Sequence, residues 1–133
     1  MKLDLSSLKK AVNSLEKAVN EYQINPNEFV RDSCIQRFEY TYELCWKTIK
    51  RFLENTVASP TDIDSMSFQE LIRTANEKGL LLNDWETWKL YRIYRGTTSH
   101  SYDQAKADEI YKEIPLFLKE AQFLLSRLEI NND

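Results

Sequence analysis

The chain has 133 residues, of which 42% are hydrophobic and 29% charged, and its formal net charge is −3 at pH 7. This length and this balance are typical of one folded domain with its own core, and they exclude a disordered chain. The isoelectric point of about 5.3 argues against a protein that coats nucleic acid through a general basic surface, but it leaves room for a small local basic site. No run of about 18 apolar residues indicates a membrane span, and no signal-peptide core opens the chain, so we expect a cytoplasmic protein.

The first half of the chain predicts two helices. Apolar residues recur at helical spacing from about Leu5 to Tyr22, and again over a long second stretch from about Glu28 to Asn55. The segment from Thr56 to Ser65 combines serine, proline and aspartate, and it is predicted to be a loop. Asp62 and Asp64 within it resemble an acidic metal-binding pair, but without a preceding Gly-Ser turn and strand we interpret them as loop residues.

Two further helices are predicted, each with an N-cap pattern at its start. Ser67 to Glu70 has the pattern of a capping box, which predicts a short helix to Lys78 with Gly79 as its C-terminal cap. Asn83 and Asp84 precede a tryptophan-rich helix that is predicted to run to about Arg95.

The last predicted helix runs from about Gln104 to Leu128, with Asp103 as its N-cap.

Cys34 and Cys45 are eleven residues apart on one predicted helix. That separation is about 16 Å along the axis, too far for a disulfide, so both are predicted to be core residues. No strand is predicted. The sequence therefore predicts an all-α fold, a four- to five-helix up-and-down bundle forming a single domain over residues 1–133.

The candidate functional site lies between Arg92 and Tyr102. This stretch contains the only histidine of the chain and two arginines three residues apart. On an ideal helix Arg95 and His100 would point about 140° apart, so they can cooperate only if the helix ends or bends between them. Gly96 and the two threonines and serine after it favour such an end. We therefore predict that Arg95, His100 and Tyr102 converge on one spot.

These residue types suit chemistry on a phosphate. His100 titrates near neutrality and can act as base or acid, and Arg95 offers a planar fork of donors, with Arg92 able to assist one turn earlier. Tyr102 could bind substrate or accept a nucleotide. Taken singly, each also has a plain structural interpretation: a helix-end cation, a packed ring or a solvated helix face. The three tryptophans, Trp46, Trp85 and Trp88, are predicted to be core or dimer contacts rather than base-stacking platforms.

Two stretches carry a family resemblance. The stretch from Arg37 to Lys50 reads Arg-Phe-Glu-Tyr-Thr-Tyr-Glu-Leu-Cys-Trp-Lys-Thr-Ile-Lys, and the second runs from Trp85 through the Arg-x4-His-x-Tyr motif to Asp103 and on to Tyr111. Together they resemble the HEPN superfamily, and within it the HepT-like or nucleotidyltransferase substrate-binding group. The resemblance covers about Leu5 to Leu128.

The resemblance implies a helical homodimer whose motifs face each other across a shared cleft. It implies that Arg95 and His100 cut RNA without a metal or other cofactor, and that a partner minimal nucleotidyltransferase neutralises the toxin by adding AMP to Tyr102. The alternative is a non-catalytic subunit that presents a nucleotide or another substrate to that partner, with Arg95 and His100 holding phosphate. The sequence departs from the family at Gly96, where a polar residue, typically asparagine, is usual.

Overall fold

The computed structural model describes residues 2–56, 59–97 and 103–132, and these ranges contain helices and no strand. The helices are α1 Ser6–Ile24, α2 Glu28–Thr56, α3 Pro60–Asp64, α4 Phe68–Glu77, α5 Trp85–Thr97 and α6 Gln104–Ile130. The all-α prediction is confirmed. The prediction of a loop from Thr56 to Ser65 is wrong where α3 lies: Pro60 starts a short helix because its fixed φ suits the first turn, and Ile63 anchors this helix in the core.

The four long helices α1, α2, α5 and α6 form an up-and-down bundle. Helix α2 runs antiparallel to α1, and α6 runs antiparallel to both α1 and α5. Two contacts fix each direction. For α1 and α2 they are the hydrogen bonds from Thr41 to the Ala11 carbonyl (3.3 Å) and from Arg37 to the Ser14 carbonyl (2.9 Å). For α1 and α6 they are the ring contact of Tyr22 with Tyr111 (4.2 Å) and the hydrogen bond from Gln122 to Glu16 (2.8 Å), and for α5 and α6 they are the ring contact of Tyr91 with Phe117 (5.1 Å) and the hydrogen bond from Trp88 to Glu120 (2.9 Å). Helices α3 and α4 are inserted between α2 and α5 and pack mainly on those two.

Aromatic rings from three helices meet in the centre of the bundle. Phe117 of α6 receives the ring of Phe38 at 5.0 Å in an edge-on arrangement, and the buried rings of Trp88 and Tyr91 from α5 also pack against it. Edge-on packing of this kind stabilises a core beyond simple burial. The prediction that Trp88 is a core residue is confirmed. Much of the aromatic surplus that supported the expected dimer is thus packed within the chain itself.

The predicted caps account for several helix ends. Ser67 and Glu70 form the complete capping box at the start of α4, and Asp103 accepts a hydrogen bond from the Ala105 amide at the start of α6. Gly79 follows α4 with φ +78°. This left-handed conformation is unfavourable for residues with a side chain, and glycine adopts it at the C-terminal ends of helices. These local signals are confirmed because each depends on neighbouring residues alone.

A buried carboxylate organises the connection between α4 and α5. The side chain of Glu120 on α6 is fully buried, and its oxygens accept hydrogen bonds from the amides of Leu82 (2.7 Å) and Asn83 (3.0 Å) and from Nε1 of Trp88 (2.9 Å). Burying a carboxylate is costly unless donors surround it. Glu120 therefore ties the backbone ahead of α5 to α6 and fixes where α5 begins.

Both cysteines lie in the core, as predicted, and each is a free thiol. Burial raises the pKa of Cys34 to about 11, and it raises the pKa of Cys45 further still. Within the described ranges, none of the helices has the length and apolar character needed to cross a membrane.

Candidate functional site

The C-terminal part of α5 carries the two arginines of the predicted site. Helix α5 runs to Thr97, two residues beyond the predicted end at about Arg95, and Gly96 is a helical residue. Its φ is not positive, it is exposed, and a Cβ built on it would meet no atom within 4 Å. Neither backbone conformation nor packing therefore requires glycine at this position.

His100 and Tyr102 lie outside the described residues, which stop at 97 and resume at 103. The convergence of Arg95, His100 and Tyr102 therefore stays a prediction. Of the four predicted site residues, the structure places Arg92 and Arg95.

Arg95 lies between two carboxylates of α2. Its Nε is 3.4 Å from Oε1 of Glu43, and its Nη1 is 3.9 Å from Oε2 of Glu39. The three side chains are between 29% and 33% exposed, so the cluster is open to solvent on one side but is not a fully solvated surface pair. The guanidinium of Arg95 therefore lies in a partly exposed position where α5 packs against the middle of α2.

A second layer of contacts supports these charges. The indole Nε1 of Trp46 donates a 3.0 Å hydrogen bond to Oε2 of Glu43, the carboxylate whose other oxygen faces Arg95. The guanidinium of Arg92 lies 4.9 Å from the ring centroid of Phe68, a cation–π distance. Glu43 and Arg92 are therefore each held by an aromatic ring rather than by solvent alone.

Tyr42 is buried next to the same cluster, and the charges of the cluster affect the pKa of its hydroxyl. Burial raises the pKa of the Tyr42 hydroxyl well above its ordinary value, and Glu43 adds to this effect. The positive charges of Arg92 and Arg95 act in the opposite direction. Both arginines therefore lie close enough to α2 to act on one buried hydroxyl.

The arrangement is suited to an anion. Two guanidinium groups one helical turn apart present planar donors that match a phosphate, while the two carboxylates keep the local charge balanced. In the described part of the chain, no group of three or more His, Cys, Asp or Glu side chains is placed to hold a metal ion.

Sequence reasoning assigned no role to Glu39, Glu43 or Glu120. A signal existed for Glu120, which is three residues after Phe117 and four before Leu124 and therefore lies on the apolar face of α6. A charged residue on a buried stripe indicates a buried partner. No comparable local signal distinguished Glu39 and Glu43, because their partner Arg95 lies more than fifty residues further along the chain.

Comparison with known proteins agrees with this architecture. The family model described as "Nucleotidyltransferase substrate binding protein like" matches residues 3–130. Over 98 residues the chain is 42% identical to the protein named "Probable ribonuclease HepT" from Haemophilus influenzae. That match covers 74% of this chain and 66% of the relative, so the chain matches slightly less than two thirds of that protein's length.

Two solved structures share the fold. One, from Haemophilus influenzae, is described as the fold of a substrate binding domain of a nucleotidyltransferase; it has a TM-score of 0.85 and 36% identity, over 95% of this chain and 99% of that one. The other, from Thermus thermophilus, has a TM-score of 0.76 and 29% identity, over 91% of this chain and 98% of that one. These comparisons confirm the resemblance inferred from the two sequence stretches. The chain belongs to the family of nucleotidyltransferase substrate-binding proteins that includes HepT.

Proposed function

We propose that this chain is the HEPN endoribonuclease of a toxin–antitoxin pair. The supporting observation is that the two stretches that carry the family resemblance, far apart in sequence, meet in space where Arg95 of α5 contacts Glu39 and Glu43 of α2. The 42% identical relative is named as a ribonuclease, which is consistent with that assignment.

The proposed reaction needs only groups that the chain supplies. The 2'-hydroxyl of a ribose loses its proton to His100, and its oxygen attacks the adjacent phosphorus while the bond to the 5'-oxygen breaks. The products are a 2',3'-cyclic phosphate and a 5'-hydroxyl, whose proton comes from His100 or from water. Arg95 stabilises the extra negative charge on the phosphate oxygens in the transition state, and Arg92 adds to the local positive potential.

We propose that a nucleotidyltransferase partner silences the enzyme by modifying Tyr102. The tyrosine oxygen would form a bond to the α-phosphorus of ATP, with pyrophosphate as the leaving group. The added phosphodiester places a negative charge two residues from His100, where it would compete with RNA for Arg95. Mass spectrometry of the chain co-expressed with its partner should find an added adenylate, and Tyr102→Phe should abolish it; modification of Tyr102→Phe would contradict this assignment.

The decisive test of the ribonuclease proposal is cleavage of total RNA by the purified protein, with excess chelator present throughout. The wild type should produce fragments that end in 2',3'-cyclic phosphates, and His100→Ala should produce none. Equal cleavage by both proteins would indicate a contaminating nuclease. No cleavage by either would refute the proposal.

The second candidate is a non-catalytic subunit that presents a nucleotide or another substrate to its partner. It is favoured by Gly96, which replaces the polar residue usual in the family, and by the substrate-binding description of the family. Because a Cβ at this exposed position would meet no atom within 4 Å, a side chain can start from residue 96 without a clash at Cβ. If Gly96→Asn cleaves RNA and both the wild type and Gly96→Ala do not, glycine has silenced the site and this second candidate is correct.

We also propose that the chain forms a homodimer. Leu90 and Ile93, three residues apart on α5, are 45% and 49% exposed and lie on the same helix as Arg95. A dimer that covers them would bring two copies of the site together. Light scattering at micromolar concentration should give the mass of a dimer, and Ile93→Asp should give that of a monomer; a monomeric wild type would remove the shared-cleft arrangement.

A further inference from the structure

The contacts of Arg95 distinguish it from an ordinary surface arginine. Two carboxylates approach it from one helix: Glu43 faces its Nε at 3.4 Å and Glu39 faces its Nη1 at 3.9 Å. Glu39 and Glu43 are four residues apart, so both lie on the face of α2 that meets α5. One of the two is itself fixed, because the indole of Trp46 holds Oε2 of Glu43 at 3.0 Å.

This geometry has a consequence for the guanidinium. Its five N–H donors are coplanar and rigidly spaced, so contacts along one edge determine where the other donors point. Nε lies 3.4 Å from Oε1 of Glu43 and Nη1 lies 3.9 Å from Oε2 of Glu39, and both are ion-pair contacts rather than hydrogen bonds. Two charges of α2 therefore restrain the orientation of the group, in addition to the rotamer preferences of its long side chain.

The charges around Arg95 show that attraction of RNA alone does not explain why Glu39 and Glu43 lie beside it. The two positive charges of Arg92 and Arg95 are matched by the negative charges of Glu39 and Glu43. A site selected only to attract RNA would omit the two carboxylates, since they lower the local positive potential. Stability gives little reason for them either, because ion pairs with this exposure contribute little to it.

We infer that Glu39 and Glu43 are positioning residues, which hold the guanidinium of Arg95 in the orientation that contacts the scissile phosphate, with Trp46 fixing Glu43. This inference rests on the proposed ribonuclease function. It assigns a role to the α2 stretch, whose contribution to the site the motif around His100 does not reveal.

The test compares Glu39→Gln, Glu43→Gln and the double variant with the wild type. The matched control is Glu129→Gln, which removes the same charge from an exposed position on α6. Glu129 is roughly 37 Å along that helix from Gln104, the end that follows the motif. Urea unfolding of each variant establishes that it is folded before any other measurement.

The first measurement reports on orientation and needs no activity. In ¹⁵N-labelled protein, the Nε–H resonance of Arg95, assigned by its loss in Arg95→Lys, should be resolved and slow to exchange with water. Glu43→Gln should broaden it or move it to the position of solvated arginines, whereas Glu129→Gln should leave it unchanged. An unchanged Arg95 resonance in both Glu43→Gln and the double variant would overturn the inference.

The second measurement separates positioning from competition. For cleavage of a short RNA, Glu43→Gln should lower kcat by roughly 10- to 100-fold, on the order of what misplacing a catalytic group costs, while KM stays the same or falls because a negative charge is gone. A rise in kcat/KM would show that the carboxylates compete with phosphate and would overturn the inference, as would an unchanged kcat. If the wild type cleaves no RNA, the proposed function fails by itself, and the role of Glu39 and Glu43 in orienting Arg95 is still decided by the resonance.

Discussion

Removing the buried carboxylate of Glu120 should cause the largest loss of stability available from one polar side chain in the described core. Glu120→Ala leaves three donors without their acceptor: the amides of Leu82 and Asn83 and the indole N–H of Trp88. Each unsatisfied buried donor costs about 1–3 kcal/mol, and water entering the space recovers part of this, so we expect a total loss of about 3–5 kcal/mol. With a urea m-value of about 1–3 kcal/mol/M, the unfolding midpoint should fall by roughly 2 M.

Two further variants sharpen this test. Glu120→Gln keeps one acceptor oxygen but points an NH₂ group at N–H donors, so its loss should be smaller, about 1–3 kcal/mol. Glu129→Ala on the same helix is exposed and should change stability by less than about 0.5 kcal/mol. Tryptophan fluorescence and circular dichroism during urea unfolding measure all three. A loss below about 1 kcal/mol for Glu120→Ala would refute the reasoning that this carboxylate satisfies the connection before α5.

Three other outcomes follow from the structure. Cys34 and Cys45 should not react with an aromatic disulfide reagent at pH 8 in the native protein, because burial raises the pKa of both thiols. Both should react in urea. Reaction in the native protein would contradict the burial of these thiols in the core. Stability should fall as the pH rises above about 9, because the native state retains protons on Cys34 (pKa about 11) and Tyr111 (pKa about 12) that the unfolded chain releases earlier; equal urea midpoints at pH 8 and pH 10.5 would contradict this. Gly96→Ala should stabilise the protein by about 0.5–1 kcal/mol in thermal unfolding, because α5 continues through this exposed position; a lower melting temperature would argue against that helical continuation.

Most of the fold follows from signals that are local in the sequence. The helical spacing of apolar residues placed the long helices to within a few residues, and the capping box at Ser67 and the left-handed Gly79 fixed both ends of α4. The short helix α3 was missed because five residues are too few to show a period, and the serine, proline and aspartates in that segment also suit a loop.

The end of α5 differs from its prediction by two residues. Glycine followed by threonines has low helix propensity, which predicts an end at about Arg95, and the helix includes Gly96 and runs to Thr97. One glycine costs about 1 kcal/mol in a helix, which a helix anchored by the buried Trp88 and Tyr91 can offset through packing. Helix propensity thus predicted the end of α5 to within two residues, but it did not identify the last helical residue.

Local sequence predicted the residue types of the candidate site, but it did not predict the contacts that come from a distant helix. Its residue types could be read from the Arg-x4-His-x-Tyr motif, but the direction of Arg95 depends on Glu39 and Glu43, which no spacing near the motif reveals. Because α5 stays helical through Gly96, a turn directly after Arg95 does not set that direction; α2 does. His100 follows the last residue of α5 by three positions and lies outside the described residues, so the convergence of the proposed acid–base group on Arg95 stays a prediction. Glu43→Gln should therefore lower the rate of cleavage without removing the acid–base group, whereas His100→Ala should abolish cleavage, and comparing the two variants separates the positioning of Arg95 from the proton transfer.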